Sequence, residues 1–548
     1  MSEFVSEESL PPVPHVYPEG CYFDSVDDIS KKHVTVMGLG LNGGGEATVR
    51  FLLEHGADVL VTDTKSEEAL KPSIERLAEY AKTRKIDANR LVYRLGCHKI
   101  EDFASADCVI KNPVVKYDGN PFLAAAKAIE TDISLFLRFS RAPIIAVTGS
   151  KGKSSTVSAL HYALKKCGFN AFLGGNITVS PLTFLDQTNK KTPVILELSS
   201  WQLADLRGRK LLKPRIAIIT KIVPDHQNFY HSMLAYVADK KLIYENQTKS
   251  DFTILDFDDD AAADGGTLIS NWGNVFAAET KARVLRYSKR RLPQKVSGVY
   301  TDADGNGIAR LPEKFLNEST KTQSLHEKKD VIILKNLAVP GKHMRQNVLN
   351  AALVLALMKV EPEKIVKAME TWHGIEHRLE FFFERVYAFK SSSDANRHNT
   401  LKIRFYNDSA STVPESAAEA TQAFGEPVIF ITGGTDKGLD MSPIAETIAN
   451  PLSIQPSAIY LLAGTASDKL EQDFIKKRIT YKGAFSSLDS LLAELKSDIE
   501  QHKGAFGIKN VVFSPGATSF GMFTNEFDRG TRFKQKVKAV FGEQSAQH

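Results

Sequence analysis

The chain predicts an α/β protein in three blocks, because three times an apolar strand pattern runs into a glycine turn and, in each case, helical spacing follows. The blocks open at His33-Val34-Thr35-Val36-Met37, at Pro143-Ile144-Ile145-Ala146 and, after about residue 374, at Pro427-Val428-Ile429-Phe430-Ile431-Thr432. At 548 residues the chain exceeds one ordinary core, and domains over 1–140, 141–373 and 374–548 are expected.

In the first block the strand leads into Gly38-Leu39-Gly40-Leu41-Asn42-Gly43, and a second strand, Asp58 to Asp63, ends on an acid. Asp63 stands where Rossmann-like domains bind a ribose or uridine group, although a plain βαβ turn gives the same pattern.

The second block carries Val147-Thr148-Gly149-Ser150-Lys151-Gly152-Lys153-Ser154 between a strand and a helix start. Backbone N–H groups and a helix N-terminus in such a loop face anionic oxygens, Lys153 reaches the β/γ-phosphates, and the Ser154 hydroxyl can hold Mg²⁺. The longer P-loop pattern wants glycine where this chain has Val147, so the loop is the shorter G-x-x-G-K-S. The central domain therefore reads as P-loop-ATPase-like.

Two further strands of this block, Val194 to Leu198 and Arg215 to Thr220, end in polar residues where an α/β site should lie. Glu197 is a hard oxygen ligand suited to Mg²⁺, with a structural ion pair as its alternative, and Pro224-Asp225-His226 puts an imidazole at a second strand end. A helix is expected from Met233 to Tyr244, on which spacing alone makes Lys240 and Lys241 ordinary exposed lysines. Residues 257–335, rich in Asp, Gly, Lys and Ser, read as an elaborated surface region.

The third block's strands, at 427–432, 458–462 and 510–513, meet turns at Gly433-Gly434, Gly464 and Pro515-Gly516. Ser391 to Thr400 reads as a solvated hairpin tip or loop without a catalytic part.

Composition excludes several classes. The net charge of +5 is small for this length, and no basic stripe interleaved with aromatics points to nucleic acid. Cys21, Cys97, Cys108 and Cys167 lack C-x-x-C spacing and read as reduced core thiols. The first thirty residues have no basic start or apolar core, and no apolar run is long enough to span a bilayer, so a cytoplasmic protein without membrane insertion is expected.

The strings TGSKGKSS, GGNI, ELSSWQL, PDHQNFYHS, ADKKLIY, QNVLNAAL, EHRLEFF, YNDSAST, GGTDKGLD and SPGATSFGMF occur in the order seen in the Mur ligases, which the chain resembles from about 34 to 534. Within that family it is most similar to the branch that adds glutamate, typically the D enantiomer, to UDP-N-acetylmuramoyl-L-alanine in peptidoglycan precursor synthesis. The resemblance implies an ATP-dependent amide ligase working through an acyl phosphate, with Mg²⁺ and, as partners, the UDP substrate and glutamate. A monomer is expected.

Residue by residue, the resemblance places Gly149, Ser150, Lys151, Gly152, Lys153, Ser154 and Ser155 around ATP, with Asn347 and Asn350 on the adenine side. Arg378 is implied on ATP phosphate and Asp408 on ribose, while Ser154, Glu197, His226 and Lys240 surround the metals. Lysines at the position of Lys240 form a carbamate in this family, so Lys153, His226, Lys240 and Arg378 are the implied catalytic set. Leu41, Asn42, Asp63, Thr64, Lys65, Asn176 and His226 fall to the UDP substrate, and Lys437, Ser519, Phe520 and Phe523 to the incoming glutamate. The bland readings are helix-helix hydrogen bonding for the asparagines, a salt bridge for Arg378, a solvated loop for Lys437 and core packing for the aromatics.

The chain departs from the family at three points. Ala410 stands where a lysine contacts the glutamate side chain, Lys65 where arginine is common, and Lys221 where asparagine is usual. Glutamate recognition and its D or L preference therefore stay open. So do a Mur-type ligase with another acceptor amino acid and a nucleotide-binding relative that has lost turnover.

Overall fold

The computed structural model describes residues 23–41, 43–177, 179–258, 271–312, 328–390, 398–501 and 507–542. Cys21, Asn42 and residues 391–397 of the expected hairpin tip or loop lie outside them, as do parts of 257–335. Contact density divides the chain into two compact units, 1–335 with 346–369 and 336–345 with 370–548.

Unit 1 holds two sheets. The first contains β1 (His33–Met37), β2 (Asp58–Asp63), β3 (Leu91–Leu95), β4 (Cys108–Lys111) and β5 (Ile129–Glu130), all parallel in the order β3-β2-β1-β4-β5. Chain order reverses between β1 and β4, which opens a crevice beyond their carboxyl ends.

The second sheet contains β6 (Ile144–Thr148), β7 (Phe172–Gly175), β8 (Val194–Glu197), β9 (Ile216–Ile219), β10 (Phe252–Asp256), β11 (Arg283–Ser288), β12 (Gly298–Thr301), β13 (Gly307–Pro312) and β14 (Lys328–Leu334). Its order is β14-β13-β12-β11-β10-β9-β6-β8-β7, parallel except where β13 meets β12 and β14. β6, β8 and β9 are buried at every position, as expected of apolar runs covered on both faces. The described part of the expected surface region thus adds four strands to this sheet. Arg310 and Tyr300 both bond Asp330 there, at 2.6 and 2.8 Å, and the polar composition that suggested a surface elaboration serves a cross-strand network.

The sequence-expected boundary at 140 falls inside unit 1. Apolar packing crosses it, with the ring centroids of Phe136 and Phe184 5.8 Å apart inside one apolar core that draws on both sides of the boundary.

Unit 2 contains β15 (Glu380–Lys390), β16 (His398–Asn407), β17 (Ile429–Gly433), β18 (Ala458–Leu462), β19 (Lys482–Phe485) and β20 (Gly507–Phe513). The order is β15-β16-β20-β17-β18-β19, with only the β15–β16 hairpin antiparallel. Separate apolar cores cover its two faces, one centred on Leu491, Leu495 and Phe533, the other on Ile444, Leu461 and Phe474.

Among the described residues no helix is long and apolar enough to cross a membrane, and no disulfide joins Cys97, Cys108 or Cys167.

Candidate active site

The phosphate loop joins β6 to the helix Lys153–Lys166, whose N-cap is Gly152. Gly149 has φ +142° and Gly152 φ +93°, and an added Cβ would meet Thr220 Oγ1 at 2.0 Å at the first and Asn347 Oδ1 at 2.4 Å at the second. Only glycine serves at either position, by conformation and by space. The Lys221 carbonyl accepts from the N–H groups of Ser150 (2.9 Å) and Lys151 (3.2 Å), so position 221 supports the loop through its backbone and tolerates a changed side chain. Ser150 Oγ donates to the Val223 carbonyl at 2.8 Å and accepts from the Tyr236 hydroxyl at 3.0 Å.

Two lysines converge on this loop. Lys153 Nζ donates to the carbonyls of Gly149 (2.8 Å) and Ser150 (3.0 Å), and Lys240 Nζ donates to that of Gly149 at 2.9 Å. The spacing-based expectation of an exposed Lys240 is overturned: it is 1% exposed, over the Tyr236 ring at 4.5 Å, whereas Lys241 reaches Glu279 at 2.6 Å. The helix Met233–Lys241 turns Tyr236 and Lys240, four residues apart, to the same buried face. Burial foremost, then the charge of Lys153, pulls Lys240 from 10.5 down to about 7, against the opposing pull of Asp225, Asp239 and Glu197. Burial lowers Lys153 as well. Near neutral pH Lys240 thus has a substantial population of the unprotonated, nucleophilic amine.

Glu197 ends β8 and is 1% exposed. Its Oε1 accepts from Asn176 Nδ2 at 3.0 Å, but Oε2 is buried without a hydrogen-bond partner. A buried carboxylate oxygen left unpaired is costly, and a cation would satisfy it. His226 is held at φ +53°, in the left-handed region, with its ring 5.0 Å from that of Trp201. Ser154 and Ser155 lie half-buried in the first turn after the loop. Asn347 lies across Gly152, and Asn350, 1% exposed, has neither amide atom hydrogen-bonded. Among the described residues no three His, Cys, Asp or Glu side chains group closely enough to hold a metal.

The crevice beyond β1 and β4 is a cleft of about 500 Å³, lined on one side by Gly38, Leu41, Lys65 and Asn112 and on the other by Asn176 and Trp201. The sequence reading of Asp63 as a ligand is not matched by a free carboxylate. Its Oδ2 accepts from the N–H groups of Leu39 (2.9 Å) and Gly40 (3.3 Å), and Oδ1 from that of Lys65 (2.9 Å), so Asp63 shapes the glycine turn. Leu41, Thr64 and Lys65 are exposed at the same edge.

In unit 2 the expected residues gather at the carboxyl ends of the parallel strands. Asp408 follows β16 with both oxygens engaged, Oδ1 by the Leu379 N–H (3.0 Å) and Oδ2 by the Ser514 hydroxyl (2.6 Å), and burial pushes it up to about 7. Arg378, Lys437 and Phe520 are exposed, Phe523 is half-buried and Ser519 buried. The sequence reading missed Arg529, 1% exposed, which donates to the carbonyls of Ala517 (2.9 Å), Thr518 (2.8 Å) and Ser409 (2.8 Å) and so clamps the loops bearing Ala410 and Ser519. Its spacing offers a signal, since Arg529, Phe533, Val537 and Phe541 recur every four residues on one buried stripe. Tyr236 was missed too, although it stands one turn before Lys240.

Comparison with known proteins bears on this arrangement. Residues 147–356 match the Mur ligase middle domain. The UDP-N-acetylmuramoylalanine–D-glutamate ligase of Treponema pallidum (strain Nichols) is 39% identical, over 93% of this chain and 98% of its own length. The enzyme of the same name from Borreliella afzelii (strain PKo) is 36% identical, over 93% and 99%. The chain belongs to the Mur ligase family. Among solved structures, the UDP-N-acetylmuramate–alanine ligase MurC of Thermotoga maritima superposes with a TM-score of 0.47 at 17% identity, covering 93% of this Mur ligase and 99% of that chain.

Lys240 generates a prediction with a definite sign. Its folded value near 7 lies below its ordinary 10.5, so the folded chain binds fewer protons between those pH values and gains stability as pH rises through them. In CO₂-free buffer the stability gained by Lys240→Met should be largest and flat below about pH 7 and shrink steadily toward pH 10.5, read by denaturant midpoints. A gain that grows with pH would contradict a buried, destabilised ammonium. Gly152→Ala should cost about 1–3 kcal/mol and weaken nucleotide binding at least tenfold by calorimetry, through the clash with Asn347.

Proposed function

We propose that this Mur ligase joins D-glutamate to UDP-N-acetylmuramoyl-L-alanine, driven by ATP, in peptidoglycan precursor synthesis. The observation that carries the reading is the 39% identity extending over 98% of a D-glutamate ligase. The phosphate loop at the mouth of a parallel sheet and the adjoining cleft support it.

In the proposed reaction a carboxylate oxygen of the substrate's alanine attacks the γ-phosphorus, the bond to the β-phosphate oxygen breaks, and ADP leaves. The resulting acyl phosphate is attacked at its carbonyl carbon by the glutamate amine, which loses a proton as the amide forms and inorganic phosphate departs. Lys153 turns from the loop carbonyls to the phosphate oxygens, and with the loop N–H groups it spreads the charge of the transferred phosphoryl group. Arg378 is a second cation for that charge. Asn347 and Asn350 hold the adenine, and Asp408 sets the turn that presents Arg378.

Bound Mg²⁺ would neutralise phosphate charge, and Ser154, Glu197 and His226 are the residues proposed to hold it, the unpaired Glu197 oxygen being the observation that supports this. The unprotonated amine of Lys240 can add CO₂ and lose a proton, which replaces an ammonium by a carbamate with two oxygens for the metal. Leu41, Asp63, Thr64, Lys65, Asn176 and His226 are assigned to the UDP substrate, Asp63 also shaping the turn, together with Asn42, which lies outside the described residues. Lys437, Ser519, Phe520 and Phe523 face glutamate, with Arg529 stabilising the loop in which Ala410 leaves the usual lysine absent. The working division is 1–140, 141–373 and 374–548, with Gly374 to Arg378 as hinge, in a monomeric cytoplasmic enzyme.

Phosphate release from the full chain with the UDP substrate, ATP and Mg²⁺ should depend on D-glutamate and be at least tenfold slower with L-glutamate. Lys153→Ala should lower kcat by about 10²–10³. Equal release with both enantiomers would overturn the acceptor assignment, and no release with either would overturn the ligase.

A further inference from the structure

The turn that follows the helix Ser200–Ala204 carries three ionic side chains at alternate positions, Asp205, Arg207 and Arg209, and each grips a different element. Asp205 meets Lys111 Nζ, the last residue of β4, at 3.0 Å, with the two side chains 5% and 1% exposed. Arg209 meets Glu130, the last residue of β5, at 2.8 Å. Arg207 bonds Asp239, the neighbour of Lys240. The elements so joined are two neighbouring strands of the first sheet and the lysine-bearing helix.

Lys111 also donates to the carbonyls of Asn112 (3.1 Å) and Val115 (2.8 Å), and its ammonium faces the Asp205 carboxylate as a buried ion pair. Asn112 and Val114 line one wall of the 500 Å³ cleft, and Ser199, Trp201 and Gln202, just ahead of Asp205, line the other. A buried ion pair contributes little net stability against apolar replacements, yet breaking one half of it is costly. What this pair supplies is position.

We infer that the turn Asp205 to Arg209 is a positioning hub, with Lys111 as its cross-brace, that fixes the spacing of the two cleft walls and ties the cleft to the helix bearing Lys240. The hub is assigned no contact with nucleotide or reacting atoms. It acts through the wall residues, and the identity of the cleft's ligand as the UDP substrate rests on the function proposed above.

The test is the double variant Lys111→Met/Asp205→Leu beside Lys111→Met alone, in the full chain. The single variant strands a buried carboxylate and should lower Tm, while the double variant should recover most of that loss. KM for the UDP substrate should stay raised about tenfold in the double variant, with kcat and the KM for ATP within about twofold of the parent. Amide hydrogen exchange should rise together in 112–115 and 199–205. An unchanged KM for the UDP substrate in a folded double variant overturns the inference, whatever Tm does. Should the double variant not fold, Asp205→Glu keeps the charge and lengthens the arm by one methylene; the same KM split is expected, and its absence overturns the inference. If calorimetry shows that the parent does not bind the UDP substrate, the functional reading fails instead, and the hub is then judged by exchange alone, a rise confined to one wall overturning it.

Discussion

One carbonyl oxygen, that of Gly149, accepts from two lysines, and much of unit 1 is arranged around that crowding. Two cations beside one neutral acceptor repel, and burial raises the cost because water cannot screen them. The protein resolves the conflict by lowering the proton affinity of Lys240, the more deeply buried of the pair. Glycine at 149 lets the loop approach Thr220 closely enough to turn its carbonyl inward, and Tyr236 supplies both a hydroxyl for Ser150 and a ring beneath Lys240. The same crowding prepares the loop for its ligand, since arriving phosphate oxygens give Lys153 stronger partners than carbonyls.

The parallel sheets decide where this chemistry sits. β6, β8 and β9 are adjacent, so the phosphate loop, Glu197 and the Thr220-Lys221 corner emerge side by side at their carboxyl ends. The reversal of strand order between β1 and β4 opens the neighbouring cleft, and the ionic turn at 205–209 holds its walls. In unit 2 the carboxyl ends of β16, β17 and β20 likewise gather Asp408, Gly433 and Ser514. Arg529 replaces backbone pairing there, holding three carbonyls that no strand reaches.

Much of this was legible in the sequence, for a local reason. Strand, glycine turn and helix start are written in consecutive residues, so β1, β2, β6, β8, β9, β17 and β18 fall where the pattern puts them, within a residue or two. Glu197 and His226 stand out as polar residues at strand ends, whereas Lys240 is singled out only by the resemblance to the family. What escaped depends on partners distant in sequence. Lys240 looks exposed on its own helix and is buried only because the phosphate loop lies over it. Asp63 is legible as an acid at a strand end, but its hold on the Leu39 and Gly40 N–H groups is not. The strands between 283 and 334 were hidden because their polar residues bond across the sheet, and Asp205 and Arg529 carry no local signature of the loops they hold.

Lys240 is proposed to be a buried amine that sheds its proton and takes up CO₂. A carbon-13 NMR spectrum of the full chain equilibrated with labelled bicarbonate at slightly alkaline pH, with Lys240→Arg as the companion sample, tests it directly. One protein-bound carbamate resonance, strengthened by Mg²⁺ and missing from the variant, is the predicted result. No such resonance in the parent chain, or one that persists in Lys240→Arg, would contradict the account.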